Sequence, residues 1–207
     1  MDWSEDLLAL FAEFARRERP RLAPHAHLPL QSGSDGVLRR MHRRYRPWHY
    51  AERAAAVREL LPDAAIGADV MVGFPGETEA EFRESYEFIA AQPLTYLHLF
   101  PFSARPGTPG WELHRERPVE KSVVAERMAV LRALADAKGR AFRQRLAGRV
   151  LSVVTLEGGD ERRTPAISAN FQRVDVEEPM PANRMIDVEL SACGDEGALA
   201  GVPVRGE

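Results

Sequence analysis

The sequence predicts an α/β fold: about three βα units forming part of a larger (β/α) barrel, followed by a small antiparallel, OB-like β-barrel. Three observations point there. Up to residue 146, stretches of helical period alternate with short apolar runs. From residue 147 onward the period becomes two, and turn residues separate five candidate strands. Finally, three strands are too few to close a parallel barrel, which takes about eight. Residues 1–146 therefore read as part of a larger barrel, and residues 147–207 as a separate module.

Taken in order, residues 5–16 set Leu7, Leu8, Leu10, Phe11, Phe14 and Ala15 on one helical face, ending before Pro20. His25–Leu30 is a short extended run. Ser34 is placed to cap a brief helix through Val37, Leu38 and Met41. Pro47 opens a helix that Pro62 stops. Ala64–Phe74 is apolar on alternate and intervening positions alike, as a strand covered by helices on both faces would be. Thr78 and Glu81 form a T-x-x-E capping box for a helix whose buried side is Phe82, Ser85/Tyr86 and Ile89. Leu94–Phe102 is the third strand, and Arg105–Gly110 is turn-rich. Pro118 leads a long helix with the stripe Val124, Met128, Leu131 and Ala135, reaching Leu146. The five later strands are predicted at 149–157, 164–168, 170–177, 184–191 and 198–204, with a turn at Gly158-Gly159.

Composition excludes several classes. At 44% hydrophobic and 29% charged, the 207 residues have the balance of a folded, water-soluble chain rather than a disordered one. No run approaches the ~18 apolar residues of a membrane span, and the acidic start at Asp2, Glu5 and Asp6 is unlike a secretory signal, so the expectation is a cytoplasmic protein. The single cysteine, Cys193, excludes an internal disulfide and a multi-cysteine metal or iron–sulfur site built from this chain alone. The histidines (25, 27, 42, 49, 98, 114) show no metal-site spacing. His25 and His27 alternate on a strand, but no third ligand is evident, so no metal ligand is assigned. Mid-strand His98 reads as a packing residue.

In parallel barrels the chemistry gathers at the C-terminal ends of the strands. Three loops qualify: Gln31-Ser32-Gly33-Ser34-Asp35, Gly73-Phe74-Pro75-Gly76-Glu77-Thr78 and Ser103-Ala104-Arg105-Pro106-Gly107-Thr108. Each pairs glycine with short polar side chains that can meet a carboxylate, ribose or phosphate. Any one of them alone is more often a plain turn; all three on one rim favour a ligand site. Arg39–Arg46 holds five arginines in eight residues. This is either a solvated helix face or a phosphate-facing patch, with Tyr45 and Trp48 as stacking surfaces. Residues 142–207 carry 8 basic and 11 acidic side chains, so RNA contact there would rest on a local patch such as Arg162, Arg163 and Arg173 rather than on bulk charge.

His27-Leu28-Pro29-Leu30-Gln31-Ser32-Gly33-Ser34-Asp35, Met41-x-Arg43-x-Tyr45, Asp69–Thr78 and Ser103-x-Arg105-x-Gly107-Thr108-Pro109 follow one another over some 85 residues. In that order they resemble the radical S-adenosylmethionine (SAM) tRNA methylthiotransferases. Ser168-Ala169-Asn170-Phe171 with its Val-rich strand resembles the RNA-binding TRAM module of the same family. Leu97-His98-Leu99-Phe100-Pro101-Phe102-Ser103 most resembles the subgroup acting on threonylcarbamoyladenosine; the isopentenyladenosine subgroup is the alternative.

The resemblance implies a methylthio group added to C2 of the modified adenosine at position 37 of tRNA, with SAM and two [4Fe–4S] clusters as cofactors. It implies contacts to SAM or the base from Gln31, Ser32, Ser34, Gly73, Phe74, Pro75, Gly76, Glu77, Phe100, Phe102 and Ser103, with Arg43 on the SAM carboxylate or an RNA phosphate. Arg44, Arg105, Arg162, Arg163 and Arg173 would meet the tRNA anticodon stem-loop. The family's cluster-binding cysteines are missing here. Relative to the family, the chain begins after the third barrel strand, which implies an inactive isolated polypeptide with its first strand as an exposed sheet edge. A shortened gene, a misplaced start codon, a split enzyme with a separate N-terminal half, or a non-catalytic tRNA-binding remnant would each give this sequence.

Overall fold

The computed structural model describes residues 4–15, 22–193 and 199–204. The expected helical Arg16 and strand residue Ala198 lie outside them. The chain divides into two compact units. The first comprises residues 1–20, 26–62 and 66–138, and the second 21–25, 63–65 and 139–207.

The first unit is built on a three-stranded sheet in the order β1 (His25–His27), β2 (Ala65–Val72), β3 (Tyr96–Pro101). β2 and β3 run parallel in the register Asp69↔His98 and Met71↔Phe100, and β1 lies at an edge. β1 is shorter than the predicted 25–30, yet the chain beyond it stays beside β2. Leu28 N–H donates to Gly67 O and Leu30 N–H to Asp69 O, and a parallel bridge joins Gln31 to Val70.

Side-chain alternation explains the packing. Ala26, Leu28 and Leu30, with Ile66, Ala68, Val70 and Val72, belong to one hydrophobic core with Leu8, Tyr50, Phe82, Ile89 and Leu131. The helices contributing to that core are α1 (Glu5–Ala15), α3 (Pro47–Leu60), α4 (Glu79–Ala91) and α6 (Lys121–Leu146); the short α2 (Asp35–Arg40) buries Val37 and Leu38. The intervening positions Asp69 and Met71 are only partly buried. The expectation of a central strand covered on both faces is therefore corrected: β2 is buried fully on one face, while its other face carries a carboxylate.

α4 begins with the capping box the sequence specifies, Glu81 N–H donating to Thr78 Oγ1 and Thr78 N–H to Glu81 Oε2. α5 (Pro109–Glu116) starts inside the turn-rich 105–110 segment and was not expected. Its signal is Thr108 as N-cap, accepting from Trp111 N–H, with Pro109 at the first position. No residue of this helix is fully buried, so no apolar stripe announces it.

The second unit is a closed barrel in the order β4-β5-β6-β8-β7: Val150–Thr155, Thr164–Ser168, Arg173–Val176, Leu199–Pro203 and Met185–Cys193. Its pairs are antiparallel except β6 with β8, which are parallel. The strand alternation buries Val153, Ala166, Val174, Val176, Val188, Leu190 and Leu199, with Phe142 and Leu146 from the end of α6. Closure removes the free edges that an open sheet of this size would present. No helix among the described residues is long and apolar enough to cross a membrane.

Candidate functional site

The uncovered face of the parallel sheet carries the chemistry. His27, Gly67, Asp69, Met71, Tyr96, His98 and Phe100 occupy the positions that alternate with the core set. Asp69 sits at the centre. His27 Nε2 is 3.1 Å from one carboxylate oxygen and His98 Nδ1 3.2 Å from the other. His27 Nδ1 is 3.4 Å from the Tyr96 hydroxyl. Tyr96 is itself placed by Gly67, since a Cβ at Gly67 would fall 1.9 Å from the phenol ring. His98 is thus not a packing residue: its side chain is 63% exposed and bonded to Asp69. His27 and His98 are far apart in sequence, and only strand register brings Asp69 between them.

The three glycine-bearing loops leave the ends of neighbouring parallel strands. Met71 N–H donates to Gln31 O, and Phe102 N–H to Val72 O. Phe74 and Phe102 meet edge to face at 5.4 Å. Phe100 and Phe102 are partly buried, and Ser103 is exposed.

The first loop is anchored to α4. Gly33 N–H donates to Ser85 Oγ at 2.8 Å, and Ser34 Oγ donates to Glu84 Oε2 at 2.6 Å. Ser34 holds the N-cap position of α2, but its side chain makes no cap bond, a correction to the capping role expected of it. Its hydroxyl instead donates a charge-assisted bond to the Glu84 carboxylate. Ser32 and Ser34 are almost fully buried, and Gln31 is held at φ 69°, left-handed backbone that non-glycine residues seldom adopt. The polar groups of this loop thus serve its shape, with Ser32 Oγ accepting from Ser34 N–H.

The second loop is closed from inside. Glu77 turns inward, 6% exposed, and accepts from Gly73 N–H at 2.9 Å and from Arg127 at 2.9 Å. Arg127, 5% exposed on α6, also donates to Glu77 O and Glu79 Oε2 and lies over the Phe82 ring. Burial pushes the Glu77 carboxyl up, against the opposing pull of the Gly73 N–H and the Arg127 charge. Gly73 has φ +76°, and a Cβ there would meet Val124 at 2.5 Å, so this turn requires glycine on two counts. Arg127 was not singled out in the sequence, because an arginine on a long helix looks like any solvated one.

The arginine cluster divides. Arg40 pairs with Glu81 at 2.7 Å, and Arg39 and Arg46 both reach Asp35. Three of the five are therefore engaged within the fold, while Arg43 and Arg44 are exposed. The Tyr45 hydroxyl donates to Leu30 O, whereas Trp48 is 52% exposed. Arg105 is exposed, and its carbonyl accepts from Thr108.

In the barrel unit, Arg162, Arg163 and Arg173 are exposed. The first two follow Asp160, whose carboxylate accepts both of their backbone N–H groups and is held below its usual range by those bonds. Phe171 projects at φ 60°, 58% exposed, with its ring 4.7 Å from His25. The side chain of Cys193 lies outside the described residues.

Residues 4–89 match the Radical SAM superfamily. The chain is 42% identical over 157 residues to the tRNA-2-methylthio-N(6)-dimethylallyladenosine synthase of Acidothermus cellulolyticus, covering 76% of this chain and 30% of that protein. It is 40% identical over 141 residues to the threonylcarbamoyladenosine tRNA methylthiotransferase MtaB of Bacillus subtilis, covering 68% and 31%. With the dimethylallyladenosine synthase of Clavibacter sepedonicus the likeness is 35% over 206 residues, or 92% of this chain and 38% of the relative. The chain is thus a homologue of tRNA methylthiotransferases and spans 30–38% of the length of these relatives.

Proposed function

We propose that this chain supplies the C-terminal part of a radical SAM methylthiotransferase that acts, in the cytoplasm, on threonylcarbamoyladenosine at position 37 of tRNA. In this reading the sheet unit is half of a (β/α) barrel, and the second unit is an OB-like TRAM module. The observation that carries the proposal is the adjacency of the three motif-bearing loops at the ends of parallel strands beside the polar face of Asp69. The strand order of the small barrel, with its one parallel pair, supports a five-stranded Greek-key assignment.

On this reading SAM lies against that end of the sheet. The Gly73–Glu77 turn offers it a close-approaching backbone, Phe74, Phe100 and Phe102 an apolar wall, and Arg43 a cation for a carboxylate or phosphate. Gln31, Ser32 and Ser34 act by fixing the first loop, and Glu77 by holding the second. SAM supplies the methyl group and the radical precursor; the chain's own task is to orient and to exclude water.

An iron–sulfur cluster does not fit these residues, because one cysteine cannot replace a three-cysteine ligand set. In this reading the cluster ligands lie outside these 207 residues. Arg44, Arg105, Arg162, Arg163 and Arg173 are proposed phosphate contacts, with exposed Phe171 as a stacking surface.

The test combines the chain with a cluster-bearing N-terminal segment of a relative, under anaerobic reduction, on tRNA carrying either modified adenosine. Nucleoside mass spectrometry should show the methylthio product on the threonylcarbamoyl substrate, and no product from the chain alone. Product only on the isopentenyl substrate would favour the alternative subgroup. Salt-dependent tRNA binding with no product in any combination would favour a binding remnant.

A further inference from the structure

Independently of that reading, we propose that His27, Asp69 and His98 form a binding site for a first-row divalent transition metal of the zinc and cobalt kind. Three adjacent strands each contribute one ligand, and the ligand atoms all lie within 4.8 Å of one another. His27 Nε2 lies 3.1 Å from one Asp69 carboxylate oxygen and His98 Nδ1 3.2 Å from the other, so the carboxylate stands between the two imidazoles, and a tetrahedral ion with metal bonds near 2.0–2.1 Å would need edges of about 3.3 Å among its ligand atoms. Ligand atoms now up to 4.8 Å apart need to close by roughly 1.5 Å at most, and His98, the more exposed ring, supplies that shift by turning against the His27 and Tyr96 rings it touches.

The surroundings suit the ligands. The Tyr96 hydroxyl faces His27 Nδ1, leaving Nε2 directed at the carboxylate. That outer contact fixes the ring orientation, as outer-shell partners of metal-binding histidines do. Two histidines and one carboxylate leave coordination positions open on the exposed side, so the ion would also hold water or an added anion. Without metal, the same three groups form a hydrogen-bonded His–Asp–His row, and the ligand-binding state requires the carboxylate to exchange imidazole N–H for the ion. Oxygen-preferring ions such as magnesium are a poor match for this donor set.

The experiment is a titration of the tag-free chain with Co²⁺, read by visible d–d absorption and by the melting temperature. The expected result is one equivalent bound, competed by Zn²⁺ and not by Mg²⁺, with a raised melting temperature. His98→Ala and Asp69→Asn should each weaken binding by more than the ~10–100-fold that losing an outer-shell partner costs. His42→Asn, an exposed position at φ 55° that asparagine tolerates, should leave it unchanged. Since Asp69→Asn disturbs a central strand, a second readout needs no variant: Zn²⁺ should protect His27 and His98 from diethyl pyrocarbonate while His42 stays reactive. Absence of stoichiometric binding, survival of binding in His98→Ala, or lack of protection at these two histidines would each overturn the proposal.

Discussion

The two units bury polar groups by different chemistry. In the sheet unit the buried polar side chains include a full ion pair, Arg127 with Glu77, and a serine bonded to a glutamate, each linking separate segments. In the barrel the buried polar side chains are neutral, and apart from a Ser168–Asn170 contact their bonds go to backbone. Thr155 donates to Pro181 O and accepts from Arg184 N–H; Thr164 does the same with Glu178 and Met180; Asn170 donates to Asp63 O. A closed ladder satisfies its own main chain, so hydroxyls suffice to tie down its loops. An open parallel sheet leaves long exit loops whose N–H groups need acceptors, and a buried carboxylate answers several at once. It must then be matched by a cation, because an unpaired buried charge is costly.

If that contrast is right, the largest single loss of stability comes from Arg127→Ala. It strands Glu77 and should cost about 3–5 kcal/mol in chemical denaturation. Replacing the pair together with Arg127→Met and Glu77→Gln should recover much of it. A double variant no better than the single one would break the comparison. Next is Gly67→Ala, which collides with the Tyr96 ring and should cost about 1–3 kcal/mol; adding Tyr96→Ala should relieve the overlap. In the barrel, Asn170→Ala removes a neutral bond to Asp63 O and should cost about 1 kcal/mol.

The smallest effect is on pH. The Arg40 guanidinium, through its hydrogen bond, holds Glu81 below the ordinary carboxylate value of 4.5. Its contribution is present above pH 4.5 and is lost as pH falls through the depressed pKa. Glu81→Gln should therefore flatten the acid limb of stability by under about 1 kcal/mol, given its partial exposure. Glu77 works in the opposite sense. Its raised pKa lets the folded state take up a proton first, so Glu77→Gln should leave the acid limb steeper.

Local chemistry made much of this legible. Thr78-x-x-Glu81 set the start of α4, and the alternation in Thr164–Ser168 gave β5 to the residue. The adjacency of the motif loops followed from expecting parallel neighbours. What was hidden depends on register and depth. Asp69 sits in an apolar run and reads as an interruption, yet pairing places it between two histidines contributed by other strands. Arg127 and Ser34 carry no mark in the sequence that distinguishes burial with a carboxylate from exposure or capping.

Of the 28 basic side chains, 26 are arginine. Lys138 is one of the two exceptions, and its ammonium donates to Ala90 O and Gln92 O at the C-terminal end of α4, at 2.8 and 2.7 Å. A compact point charge fits between two carbonyls where a flat guanidinium would not. The protein therefore carries a natural amine reporter: acylation of Lys138, timed against Lys121, would clock how often α6 lifts from α4 in the intact fold.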